Sequence, residues 1–269
     1  MTSLELYHFP DSLCSQKVRL ALAEKGIEWK SHIVNLLTFE NLKPDYVRIN
    51  PKAVVPTLVD DGKVVCNSAI IVRHLDKNFP EHRLTPVEET LTEKMTKWID
   101  LQDAFPMREL IYHNLKGFSG IVARRSMRMK KDLVAKLMRE NPNLHTQYAA
   151  KLEDVKNWNA TVDDRAQVAA INGRMNEILD QLENELRKSD WLCGANYSLA
   201  DLVWTAVLHY LEQVKLDTLW RNGRRPALAA YIARLKARPS FKEAIQDYLA
   251  PKVMEPIVIA GLRRIFLGF

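Results

Sequence analysis

From Leu4 to Phe9, apolar and polar side chains alternate along Leu4-Glu5-Leu6-Tyr7-His8-Phe9, the period of a strand. Pro10 and Asp11 interrupt it. Apolar spacing over residues 15–25 predicts a helix, with Val18, Ala21, Leu22 and Ala23 inward and Gly26 as its stop. A second strand is expected over 27–34 and a short helix or turn over 44–51. Residues 54–59 and 64–66 predict two more strands, with Asp61-Gly62 as the hairpin turn between them. A helix over 68–79 is closed by Pro80. The order β-α-β-α-β-β-α implies a mixed four-stranded sheet flanked by helices.

Beyond residue 88 the period becomes helical. Residues 81–88 carry His82, Pro86 and several charges and read as a linker between an α/β domain over 1–80 and an all-helical domain over 89–269. One long helix is expected over 89–116, kinked at Pro106. Residues 121–140 form a basic amphipathic stretch. Residues 143–165 are polar, with a break at Asn157-Trp158-Asn159, and together these make an insert around 118–165. Residues 166–188 are amphipathic, and 199–211 are almost wholly apolar, the pattern of a central buried helix. Helices over 226–238 and 241–249 follow. The apolar end, 257–260 and 265–267, is interrupted by Arg263 and Arg264 after Pro256 and is too short to span a bilayer. It is expected to pack over the site or to lie at an interface.

Composition narrows the classes. Apolar residues at 47% supply a sizeable core, and 27% charged residues fit a soluble protein. Cys14, Cys66 and Cys193 are odd in number and far apart, which is neither a disulfide framework nor metal-ligand spacing. Reduced thiols, a cytoplasmic location and no metal are expected. The start, Met1-Thr2-Ser3-Leu4-Glu5, shows no basic segment followed by an apolar run, so no signal peptide is expected. The net charge of +6 is concentrated in 124–139 and reads as a solvated basic face. No nucleic-acid motif accompanies it. No GxGxxG or GxxxxGK[ST] loop is present, so a nucleotide has nothing to hold its phosphates.

Three features of the α/β unit bear on chemistry. Pro10-Asp11-Ser12-Leu13-Cys14-Ser15-Gln16-Lys17 joins the first strand to the first helix. A helix N-terminus offers unpaired N–H groups and partial positive charge, which favour a thiolate. Ser12 is either an N-cap or a hydroxyl donor to a bound sulfur, and Cys14 either a reactive thiol or a small buried residue. Val55-Pro56-Thr57 places a proline at a strand start. Either it lies on a sheet edge, or its peptide bond is cis and frees the Val55 backbone for an extended peptide ligand. Asn67-Ser68-Ala69-Ile70 opens the third helix, and is either a simple cap or a carboxylate site.

Together, Ser12-Leu13-Cys14-Ser15, Asn50-Pro51-Lys52-Ala53-Val54-Val55-Pro56-Thr57-Leu58 and Asn67-Ser68 resemble the thioredoxin-like domain of glutathione transferases. Asn196-Tyr197-Ser198-Leu199-Ala200-Asp201 is similar to that family's capping box, in which Ser198 caps and Asp201 reaches back. The resemblance spans the whole chain and is strongest to members that reductively dehalogenate hydroquinones. The insert resembles that of the ganglioside-induced differentiation-associated relatives. The resemblance implies glutathione as co-substrate, a hydrophobic or aromatic electrophile, and a homodimer. Ser12 would hold the glutathione sulfur as thiolate, and Cys14 would resolve a glutathionyl-aromatic adduct by thiol exchange. Val55, with Pro56, would bind the cysteinyl backbone, Ser68 the γ-glutamyl carboxylate, and Lys52 the glycyl carboxylate. The family usually has an acid where this chain has Asn67. Asp100 or Asp103, from this subunit or a partner, would then meet the γ-glutamyl ammonium. Phe105, Arg108, Tyr112 and Trp204 are the expected substrate pocket.

Three enzymatic readings follow: reductive dehalogenation, β-aryl-ether cleavage and general conjugation. Cys14 favours the first, because conjugation needs only Ser12. A non-enzymatic rival is a membrane-associated binding protein, resting on the basic stretch and the apolar C-terminus.

Overall fold

The computed structural model describes residues 3–268; Met1, Thr2 and Phe269 lie outside the described residues, and with them the first two positions of the leader expectation and the last of the helical domain. Strands β1 (Leu4–His8), β2 (Lys30–Ile33), β3 (Thr57–Asp60) and β4 (Lys63–Cys66) form one mixed sheet in the order β2-β1-β3-β4. β1 and β2 are parallel. β1–β3 and β3–β4 are antiparallel, with Leu6 opposite Leu58. Helices α1 (Leu13–Lys25) and α3 (Ser68–Asn78) pack together, and α2 (Pro44–Ile49) precedes β3. This is the expected thioredoxin-like sheet domain, followed among the described residues by helices, loops and one isolated bridge between Trp191 and Gly194.

Residues 79–88 carry no helix or strand. One buried ion pair ties them down. Lys25 at the end of α1 meets Asp76 at 3.0 Å, with side chains 0% and 4% exposed. Asp76 also accepts from the Leu84 amide at 2.8 Å and from the Thr85 amide and hydroxyl at 2.9 and 2.6 Å. Burial pushes its carboxyl up, but the Thr85, Leu84 and Lys25 contacts together hold it below the ordinary value of 3.8. A depressed folded-state value means stabilisation that is present at neutral pH and lost as pH falls through that value. Asp76→Asn leaves Lys25 buried without its counter-charge. It is expected to cost about 3 kcal/mol at pH 7. In urea melts the gap between variant and wild type should narrow below about pH 4; a gap independent of pH would refute the assignment.

Two expected elements are corrected. The single helix over 89–116 is two helices, α4 (Glu89–Asp103) and α5 (Met107–Asn114). Pro106 lacks an amide to continue the ladder, and the chain turns at 104–106 rather than kinking. The expected break at Asn157-Trp158-Asn159 is absent, because α7 (His145–Asp163) runs straight through it. Tyr148, Lys151, Val155, Trp158 and Val162 recur every three or four residues on its buried face, so Trp158 anchors the helix.

α6 (Gly117–Glu140) and α7 form an antiparallel hairpin, the insert. It docks on the sheet domain. Val134, Leu144 and Tyr148 pack with Phe39, Leu42, Val47 and Ala53, and Tyr148 Oη donates to the Leu42 carbonyl at 2.8 Å. α8 (Arg165–Leu186), α9 (Leu199–Gln213) and α10 (Pro226–Lys236) make the main core. α9 is central, packed on α1 and α4, as its apolar run predicts. The capping box read from Ser198 and Asp201 is present. α11 (Pro239–Phe241) passes through a π-helical stretch (Lys242–Gln246) into α12 (Asp247–Leu249).

The C-terminus is one continuous helix, α13 (Pro251–Leu267), with Pro256 inside it. Its inward stripe is Ile257, Gly261 and Ile265. Ile257 packs against Phe9, Val34, Tyr46 and Val55. A Cβ at Gly261 would meet the Leu37 side chain, so glycine permits the close approach. Among the described residues no helix is long and apolar enough to cross a membrane.

Candidate active site

The turn after β1 is held from beneath by Arg19, 1% exposed. Its guanidinium donates to the Phe9 carbonyl at 3.2 Å, the Pro10 carbonyl at 2.7 Å and the Ala244 carbonyl at 2.7 Å. It also lies 4.3 Å over the Tyr248 ring. Burial lowers it to about 10, so it stays charged at neutral pH. The turn therefore has little freedom to move Ser12.

Ser12 caps α1, its Oγ accepting from the Ser15 amide at 3.3 Å. The cap uses a lone pair and leaves the hydroxyl proton free, so capping and donation to a sulfur are compatible. Cys14 lies in the first turn of α1 and is partly exposed, whereas Cys193 is buried. One turn further, Lys17 is 1% exposed and its Nζ donates to Gln102 Oε1 of α4. Burial pushes the Lys17 ammonium down, and the nearby Cys14 and Asp103 push it back. Neither Lys17 nor Gln102 stood out in the sequence, since a helical lysine ordinarily faces solvent.

The Val55-Pro56 bond is cis, the second of the two alternatives read from the sequence. Tyr46 Oη donates to the Val54 carbonyl at 2.7 Å and sits 2.9 Å from Thr57 Oγ1. Asn50 Nδ2 donates to the same two groups, each at 2.9 Å. These pins hold Val54 and Thr57, the residues on either side of Val55-Pro56. Lys52 is in an exposed turn, its amide donating to Asn50 Oδ1 at 3.1 Å.

At α3 the cap is Asn67, whose Oδ1 accepts from Ala69 and Ile70 at 2.7 and 3.3 Å. Ser68 is the first helical residue and 4% exposed. Asn67 Nδ2 donates to Asp103 Oδ2 of the same chain at 3.3 Å. Asp100 instead pairs with Arg73 at 2.6 Å. Lys17, Gln102, Asp103 and Asn67 thus link the Cys14 turn to the start of α3.

The four expected pocket residues divide. Trp204 has no exposed surface, and its indole donates to the Trp98 carbonyl at 3.2 Å in the core between α4 and α9. Phe105 is buried beneath Arg174. Both are buried in the core, Phe105 in the 104–106 turn and Trp204 on α9; apolar spacing cannot tell such inward positions from pocket walls. Arg108 and Tyr112, one turn apart on α5, lie together against Trp158. Tyr112 is raised chiefly by burial and also by the charge of Asp11. Tyr210 of α9 donates to the Asp11 carbonyl at 2.8 Å and is raised by burial, then by Asp11, Tyr112 and Cys14. Tyr210 therefore lies near Cys14, with Tyr112 near Tyr210. Asp11 itself is pushed up to about 6 by burial, against the pull of Gln213, Arg19 and Tyr210, and its Oδ1 has no partner among the described residues. Two clefts of about 530 and 480 Å³ lie elsewhere, beside Trp29 and Tyr248 and beside Tyr7 and His32, and include neither Ser12 nor Cys14.

Comparison with known proteins gives the family. Residues 6–83 match the family "Glutathione S-transferase, N-terminal domain", and 121–239 match "Glutathione S-transferase, C-terminal domain". Tetrachloro-p-hydroquinone reductive dehalogenase of Sphingobium chlorophenolicum is 32% identical over 91% of this chain and 96% of its own length. Human ganglioside-induced differentiation-associated protein 1-like 1 is 29% identical over 91% of this chain and 74% of its own length. The β-etherase LigF of Sphingobium sp. strain SYK-6 superposes with a TM-score of 0.74 at 26% identity, covering 91% of this chain and 99% of that one. With both halves matched and a relative of this identity spanned almost end to end, the chain belongs to the glutathione S-transferase family of enzymes.

Proposed function

We propose that this enzyme uses glutathione to dehalogenate a halogenated aromatic reductively, with Ser12 and Cys14 in successive roles. Ser12 donates a hydrogen bond from its free hydroxyl to the glutathione sulfur and so favours the thiolate, whose proton leaves to solvent. The thiolate attacks the halogen-bearing carbon, a C–S bond forms, and halide leaves with the bonding electrons. Cys14 thiolate then attacks the sulfur of the adduct. The C–S bond breaks, its electron pair stays on carbon and takes a proton, and a Cys14–glutathione disulfide remains. A second glutathione thiolate releases glutathione disulfide and restores Cys14. In sum, one aryl halide and two glutathiones give the arene, glutathione disulfide, a proton and halide; the two thiols supply the electrons.

The observation that carries this reading is the partial exposure of Cys14 within the same helical turn as Ser12. In the same reading Val55 and Pro56 present backbone to the cysteinyl unit. Ser68 receives the γ-glutamyl carboxylate, Asn67 with Asp103 the ammonium, and Lys52 the glycyl carboxylate. The working unit is a cytoplasmic homodimer, its sheet domain ending near 80 and its helical domain starting near 89. Thiolate cleavage of a β-aryl ether is the second reading, favoured by the similarity to LigF.

The test is glutathione-dependent turnover of haloaromatic hydroquinones and β-aryl ethers. Ser12→Ala should lower kcat/KM about a hundredfold, equivalent to about 2.7 kcal/mol. Absence of any glutathione binding in wild type would sink both readings.

A further inference from the structure

Three cations meet two carboxylates where α5, α6 and α7 converge. Arg108 donates to Asp154 Oδ1 at 3.0 Å and to Glu109 at 3.1 Å. Lys151, 8% exposed, donates to Asp154 Oδ2 at 3.1 Å. The third cation, Lys130 of α6, has no hydrogen-bond acceptor among the described residues. It rests 5.3 Å from the centre of the Trp158 ring and 5.9 Å from that of Phe39. Ring faces offset part of the cost of removing an ammonium from water, but they supply no counter-charge. Burial, Lys151 and Arg108 push Lys130 down to about 7, with only Asp154 pulling it back. Trp158 adds an orphan. It is 4% exposed, and its indole N–H is buried without an acceptor among the described residues. The indole N–H is therefore buried without an acceptor among the described residues, while Lys130, partly exposed beside the same ring, adds a third cation to two carboxylates. A bound anion would correct both.

The cluster adjoins Tyr112 of α5. Trp158 packs edge-on against Tyr112 at 4.7 Å, and Tyr112 is the phenol close to Asp11 and Tyr210 near Cys14. Arg108 and Asp154 are each more than a third exposed, so the site is reachable from solvent.

We propose that Lys130, Arg108 and the Trp158 indole form an anion subsite of the acceptor pocket, selecting an aromatic electrophile that carries an acidic oxygen group such as a carboxylate or phenolate. The subsite rests on the reading above for the direction in which the electrophile faces Cys14, but anion binding itself does not depend on that reading.

The test uses 4-chloro-3-nitrobenzoate and its methyl ester, with wild type, Lys130→Met and Lys130→Arg. Calorimetry measures binding, and glutathione-dependent chloride release, divided by the spontaneous rate, measures turnover. Wild type is expected to bind the benzoate about tenfold more tightly than the ester. Lys130→Met should erase that preference and Lys130→Arg retain it. Lys130→Met should not lower the unfolding temperature, because it removes a cation that its neighbours repel. Equal binding of acid and ester, or a preference that survives Lys130→Met, overturns the subsite. Lys130-dependent benzoate binding without any glutathione-dependent turnover supports the subsite and overturns the catalytic reading instead. Turnover with no acid preference does the reverse.

Discussion

Cys14→Ser is expected to stop dehalogenation after its first half, with the glutathionyl-aromatic adduct accumulating to about one equivalent of substrate consumed. Release of the dehalogenated arene should fall at least about a thousandfold, because a serine hydroxyl is not a nucleophile toward a thioether sulfur at neutral pH. Halide release in the first half should persist, since Ser12 and the α1 terminus remain. The substitution is nearly isosteric at a partly exposed position, so the fold should tolerate it. Rapid-quench sampling with mass detection of the adduct separates the two halves. Full turnover to the arene in the variant, without adduct, removes Cys14 from the reaction and leaves ether cleavage or conjugation as the reading. Ser12→Ala should behave in the opposite way. It weakens the first half, so halide release slows and no adduct builds up.

That contrast depends on neighbours a linear reading does not reveal. The α1 turn, the proline at the start of β3 and the α3 start were legible because each is local, although the sequence left the Val55-Pro56 bond open between an edge proline and a cis peptide. A helix cap, an X-Pro dipeptide and a hairpin turn are set by residues within four positions of one another. The burial of α9 was legible because its apolar run leaves no polar face to expose. Lys17, Asp11 and Tyr210 were not, because each is a polar side chain whose role is fixed by another element. Lys17 meets Gln102 of α4, and Tyr210 reaches back to Asp11 across 199 positions. Trp158 was misread for the same reason. Asparagines on either side suggested a break, yet burial against Tyr112, Met127 and Val162 keeps the helix intact. Phe105 in the 104–106 turn and Trp204 on α9 show the converse, since an inward apolar position is equally core or pocket until its partner is known.

Asp201→Ala is the substitution expected to cost most in stability. Asp201 has no exposed surface and accepts four hydrogen bonds. Oδ1 receives the Leu192 amide at 2.9 Å and the Tyr231 hydroxyl at 2.7 Å; Oδ2 receives the Ser198 amide at 2.9 Å and its hydroxyl at 2.8 Å. One carboxylate therefore joins the start of α9, the 189–194 turn and α10. Alanine removes the acceptors and leaves two buried amides, a phenol and the Ser198 hydroxyl unpaired, each a desolvation cost of about 1–3 kcal/mol. Part of that cost is relieved by water entering the cavity, so a net loss of about 4–5 kcal/mol is expected from urea unfolding, with the m-value unchanged. Asn is no rescue. Its oxygen can serve two of the donors, but its NH₂ then faces the other two. A loss under about 1 kcal/mol would show that this junction does not organise the helical domain. The same variant also tests how far α9 acts as a rigid rod. Asp201 begins α9, and Tyr210 near its other end lies about 13 Å further along the axis. Below its lowered unfolding temperature the variant should keep wild-type affinity for glutathione, because a helix packed on α1 and α4 holds Tyr210 in place without its cap. A fall in affinity parallel to the fall in stability would instead mean that the cap and the Asp11 turn open as one unit.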